Sequence, residues 1–178
     1  KSMKTTYIFV VLLIISSCSG GSSNIIEEDD SGIPGDELNS INETCTNTSR
    51  NGVDKCDFTH DDRNRFYYFY VPDNLDTNQS IPVLFAFHGY GSSALRHLGY
   101  TNYMPIADGN NFIVVYPQGE TTSTLSAHWN VGGWTSKSPV KDLEFVETVI
   151  DILKDKLRID ESRLYSSGMS NGGYMGYH

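Results

Sequence analysis

Five consecutive residues, Gly168-Met169-Ser170-Asn171-Gly172, constrain this chain more than any others. They follow a short stretch that reads as a strand, Leu164 to Ser167, and a further glycine, Gly173, comes directly after them. G-x-S-x-G in that setting predicts a sharp turn from strand into helix that holds the serine in a strained backbone conformation. The glycines at 168 and 172 remove the side chains that would keep the helix away from the strand. Ser170 is therefore the candidate nucleophile. A serine hydroxyl is a weak nucleophile, so the chemistry also needs a base, an orienting carboxylate and donors for a developing oxyanion.

The rest of the chain supplies a frame for that turn. Arg65 to Val71 is rich in aromatic and β-branched residues and ends at Pro72, which reads as an early strand. Ile81 to Phe87 is a nearly continuous apolar run before Gly89, as expected of a strand covered on both faces. Phe112 to Tyr116 is another, stopped by Pro117. Leu143, Val146, Val149, Ile150, Leu153 and Leu157 recur at three- and four-residue intervals, with charged residues off that stripe, so this segment is an amphipathic helix. A shorter helix is expected over Asn102 to Asn110. Strands alternating with helices imply parallel pairing in an α/β sheet, with reactive loops at the carboxyl ends of the strands. Gly89 and Ser170 both fall at such ends.

The 178 residues, 38 % of them hydrophobic, are enough for one ordinary globular domain. A formal net charge of -9 argues against binding nucleic acid or an anionic membrane by charge, since both call for clustered Lys and Arg. Residues 1–18 read as a targeting segment: Lys4 precedes Tyr7 to Ile15, an apolar stretch too short to span a bilayer. Ile15-Ser16-Ser17-Cys18 resembles the lipobox of bacterial lipoproteins, which implies lipidation at Cys18, a membrane anchor and, from the uncharged Ser19, the outer membrane. The alternative is an ordinary signal peptide with an incidental cysteine. Residues 19–57, dominated early on by Gly, Ser, Asp, Glu and Asn, are expected to be a flexible acidic tether, with the folded part at residues 58–178. In an exported chain, Cys45 and Cys56 form a disulfide or remain two unrelated thiols; their spacing does not choose. No metal site is expected, because His60 is the only histidine near them and paired-ligand spacing is missing.

Taken together, the motifs have a fixed order. His88-Gly89-Tyr90-Gly91 follows one apolar strand and Tyr116-Pro117-Gln118-Gly119 the next; His128-Trp129-Asn130 and then Ile159-Asp160 lead to Gly168-Met169-Ser170-Asn171-Gly172-Gly173. The series resembles the polyhydroxybutyrate depolymerase, feruloyl esterase and acetylxylan esterase group of secreted α/β-hydrolases. That resemblance implies an α/β-hydrolase fold, a mostly parallel sheet with flanking helices. It makes Ser170 the nucleophile and the backbone N–H groups of Asn171 and Tyr90 the oxyanion donors. His88 becomes a structural part of its turn, and Trp129 is either packing or a platform for substrate. An acidic residue opening the helix, Asp142, is expected to favour its N-terminus rather than to act in catalysis.

In such folds the triad runs serine, then acid, then histidine. His178 lies about 12 Å along the helix from Ser170 at the helical rise, so neither the triad acid nor the triad base is expected within these residues. The chain is accordingly expected to be an amino-terminal portion, truncated after the elbow and inactive alone. The whole protein is expected to be a lipid-anchored serine esterase of the bacterial envelope or exterior. Its substrate is a polymeric or small ester, such as polyester or the feruloyl or acetyl esters of polysaccharide, and no cofactor is implied. The competing expectation is a non-catalytic envelope lipoprotein whose aromatics, among them Tyr100, Tyr103, Trp129 and Trp134, make a carbohydrate-binding or scaffolding surface.

Overall fold

The structure is a computed structural model that describes residues 41–50 and 52–178. The predicted signal peptide, Cys18 and the tether as far as residue 40 lie outside the described residues. In chain order the elements are β1 (Thr44–Asn47), β2 (Val53–His60), β3 (Arg63–Tyr70), β4 (Ile81–Phe87), α1 (Ala94–Thr101), α2 (Met104–Asn110), β5 (Ile113–Pro117), α3 (Asp142–Lys156), β6 (Ile159–Gly168) and α4 (Asn171–Met175). The six strands form one sheet in the order β1-β2-β3-β5-β4-β6.

Strands β1 and β2 correct the expected tether, since residues 44–57 build an antiparallel hairpin that extends the sheet. The physical reason is a period-two pattern hidden among polar residues. Cys56 and Phe58 turn inward on one face and Val53 turns to the other. Cys45 and Cys56 stand opposite each other across the hairpin and are joined by a disulfide. Glu43 accepts a hydrogen bond from the Tyr67 hydroxyl and pairs with Lys156, which ties the start of this segment to β3 and α3. Between β2 and β3 the chain reverses through Asp61 and Asp62, both at positive φ, 49° and 58°. That is the two-residue primed turn whose twist matches a hairpin, and aspartate tolerates it better than most residues.

Pairing is antiparallel from β1 through β3 to β5, and parallel for β5-β4 and β4-β6. The sheet is therefore mixed rather than mostly parallel, and its parallel part carries the elbow. Both faces are covered, which explains the unbroken apolar run of β4. Phe85 and Phe87 pack with Val115, Trp129 and the Phe145, Val149 and Leu153 stripe of α3. Ala86 and Val114 face the other way, against Ala94 and Leu98 of α1 and Ala107 of α2. The short helix expected over Asn102 to Asn110 forms as α2, and an unexpected helix, α1, precedes it: Asn102 takes a left-handed conformation that caps α1, and Pro105 sits in the first turn of α2.

Candidate active site

Ser170 sits between β6 and α4 with φ 53° and ψ -119°, a conformation that non-glycine residues adopt only under constraint. Two close approaches impose it. A β-carbon on Gly168 would come 2.2 Å from the Gly172 carbonyl oxygen, and one on Gly172 would come 2.2 Å from the Phe87 oxygen. Glycine at both places lets α4 turn back against β6 and the end of β4. The ladder ends in step with the turn: Phe87 pairs with Gly168, and the Met169 N–H donates to the Phe87 carbonyl.

The loop after β4 comes up beside the serine. A β-carbon added to Gly89 would lie 3.7 Å from Ser170 Cβ. The conformation of this loop is set by His88, which is fully buried. Its Nε2 accepts the Gly119 N–H at 2.9 Å, so the ring proton is on Nδ1 and donates to the Gly89 carbonyl at 2.8 Å. A trans peptide places C=O and N–H on opposite sides. Holding the Gly89 oxygen against His88 therefore turns the Tyr90 N–H the other way. With both nitrogens occupied, and with burial lowering its pKa below the ordinary 6.5, His88 is a neutral strut and not a base. Among the described residues, neither the Tyr90 N–H nor the Asn171 N–H has an acceptor, and the Ser170 hydroxyl has no partner.

Behind the elbow lies a network that sequence reasoning missed. The side chain of Asn171 is buried and pairs with one residue only: its Oδ1 accepts the Trp129 N–H at 2.7 Å and its Nδ2 donates to the Trp129 carbonyl at 3.0 Å. The Trp129 indole N–H in turn donates to the His88 carbonyl at 2.8 Å. Its ring lies edge-on to Phe87 and tilted against His88, and the residue has no exposed surface. The expectation of Trp129 as a substrate platform is thereby corrected, because an indole buried on all sides offers no face to a ligand. Asn130 continues the network, with its N–H on Asp142 Oδ2 at 2.7 Å. Asp142 is held in turn by Arg65. The sequence carried a trace of this network, a polar residue inside the elbow and His128-Trp129-Asn130 ahead of it, but nothing in it linked the two.

His128 is also buried, with Nδ1 donating to the Ser126 carbonyl and Nε2 paired with the Ser138 hydroxyl, so it is spoken for away from Ser170. His178 pairs with the Val131 carbonyl. Among the described residues no histidine or carboxylate hydrogen-bonds Ser170. Glu43, Cys45 and Cys56 cluster within metal-binding reach, but both sulfurs are consumed by the disulfide.

A parallel β5-β4-β6 core, helices on both faces and a serine elbow after β6 make this an α/β-hydrolase fold. The solved structure of an S-formylglutathione hydrolase from Agrobacterium tumefaciens shares it at TM-score 0.56 and 16 % identity, over 75 % of this chain and 54 % of that one. The prolyl oligopeptidase family matches residues 99–177. Within that fold the chain is similar in sequence to feruloyl esterases, to acetylxylan esterases and to a polyhydroxybutyrate depolymerase. It is 36 % identical to feruloyl esterase B of Thermothelomyces thermophilus over 61 % of its length. It is 34 % identical to a bifunctional acetylxylan esterase/xylanase of Neocallimastix patriciarum over 64 %, and 37 % identical to a polyhydroxybutyrate depolymerase of Talaromyces funiculosus over 36 %. The matched region spans 36 %, 15 % and 21 % of those three proteins.

Proposed function

We propose that the protein is a serine carboxylic ester hydrolase working through an acyl-enzyme on Ser170. The observation that carries this reading is Ser170 held at positive φ beside two backbone N–H groups, of Tyr90 and Asn171, that no described residue engages. In the reaction Ser170 Oγ attacks the ester carbonyl, and the oxygen that becomes negative takes the two N–H groups. A histidine base removes the Oγ proton and passes it to the leaving alcohol; water then hydrolyses the acyl-enzyme. That base and its orienting acid are assigned to a part of the protein outside residues 41–178. The mechanism uses no cofactor.

The names of the relatives support a polyester, or feruloyl or acetyl esters of polysaccharide, as substrate. Tyr90, on the loop after β4, and Trp134 support a flat group in the substrate: their rings stand 5.0 Å apart, edge to face, and both are about half exposed. The segment ending at Cys18 supports export and lipid anchoring at the cell envelope.

A fluorophosphonate probe tests the reading. The full protein should be labelled, mass spectrometry should place the adduct on Ser170, and Ser170→Ala should abolish it. A folded, unlabelled wild type would overturn the proposal.

A further inference from the structure

We propose that Trp129 and the side-chain amide of Asn171 form a brace that fixes the two oxyanion donors relative to each other, which makes both side chains positioning residues for acyl transfer. The inference rests on the serine hydrolase reading and goes beyond it.

The two donors come from separate stretches of chain. The Tyr90 N–H lies on the loop after β4 and the Asn171 N–H lies after β6. Sheet hydrogen bonds register these strands only as far as Phe87 with Gly168 and the following Met169 N–H. Past that point the connection runs through Trp129. Its indole N–H holds the His88 carbonyl, two residues before one donor, and its own peptide groups hold the carboxamide of the residue that carries the other. All three bonds are buried, so they do not exchange with water. The brace is itself anchored: Asn130, the next residue, is held by Asp142, and Asp142 by Arg65 of β3. A tryptophan that merely filled space would need some acceptor for its indole. Here the acceptor belongs to the oxyanion loop, and Asn171 commits its entire side chain to the backbone N–H and C=O of one residue, Trp129.

Donor placement matters steeply, because a shift of about 1 Å in a reacting group costs as much as a hundredfold in rate. Trp129→Phe removes the indole N–H, and Asn171→Ala removes the carboxamide with little loss of volume. Each is compared with the full wild-type protein for p-nitrophenyl ester turnover, for inhibition by a trifluoromethyl ketone whose oxyanion occupies the donor site, and for thermal unfolding. Each variant is expected to lose about tenfold in kcat with KM within about twofold, and about tenfold in inhibitor affinity. The double variant should fall no further than the worse single one, because either change opens the same brace. Unchanged kcat and inhibitor affinity in a folded variant would overturn the inference, as would losses that multiply in the double variant. Should Trp129→Phe fail to fold, Asn171→Ala alone decides through the same readings. A wild type that neither turns over ester nor takes the fluorophosphonate label sinks the hydrolase reading and the brace together. A wild type that labels while its variants behave normally sinks only the brace.

Discussion

Arg65 on β3 donates through Nη2 to Asp142 Oδ1 at the start of α3, 2.7 Å away, and neither side chain has any exposed surface. The guanidinium also lies over the Phe145 ring, 3.7 Å from its centre, with Glu120 3.6 Å from Nε. Burial pulls Arg65 below its ordinary pKa, and the Asp142 charge acts in the opposite direction. The other oxygen of Asp142 takes the Asn130 N–H, so this ion pair stands at the foot of the loop that braces the elbow.

Removing one partner should therefore cost far more than removing both. Asp142→Ala leaves a buried guanidinium with only the more distant Glu120 and the Gln118 carbonyl as partners and frees the Asn130 N–H, for an expected loss of about 3 kcal/mol. Arg65→Met with Asp142→Leu replaces the pair by apolar groups and should recover much of it. Urea unfolding of the three proteins measures this. A single variant within about 1 kcal/mol of wild type would show that the pair is not desolvated as described.

The buried histidines predict how stability depends on pH. His88 and His97 both have pKa values lowered from 6.5, and burial is the leading cause for each. A group whose native pKa lies below its unfolded value stays unprotonated in the native state while the unfolded chain takes up a proton. Stability from these residues is thus complete above about pH 6.5 and is lost as the pH falls from there towards their native values. Tm measured across this range for wild type and His97→Gln isolates one contribution, and the variant should show the shallower decline on the acid side. Parallel curves would mean that His97 titrates alike in both states.

The legibility of this fold followed the strength of its hydrophobic pattern. Ile81 to Phe87 reads directly as β4, because continuous burial leaves a plain trace, and the spacing from Leu143 to Leu157 reads as α3, although its buried face runs through Phe145, Val149, Ile152 and Leu153 and leaves Leu143 exposed. The hairpin at 44–60 was not legible in that way. Its inward residues are few and spaced among Asp, Lys and Thr, and a disulfide and the Glu43 contacts hold what propensity alone does not. At the site, the elbow was legible because glycine is the only residue that fits at 168 and 172. The Asn171 carboxamide and the Arg65 guanidinium were not, since each acts through a partner 42 or 77 positions away that no local pattern announces.

The strain at Ser170 separates two variants that chemistry treats alike. Both Ser170→Ala and Ser170→Gly remove the nucleophile, and both should be inert to the fluorophosphonate. Alanine keeps a β-carbon at φ 53° and ψ -119°, a conformation that costs of order 1–3 kcal/mol. Glycine adopts it freely, against an entropic penalty of about 0.5–1 kcal/mol in the unfolded chain. At an unstrained position alanine wins. Here the order should reverse, with the glycine variant as stable as the alanine variant or about 1 kcal/mol more so. Matched denaturant titrations of the two decide it. An alanine variant more stable by the usual margin would mean that the turn carries no strain and that the serine is not held as an elbow requires.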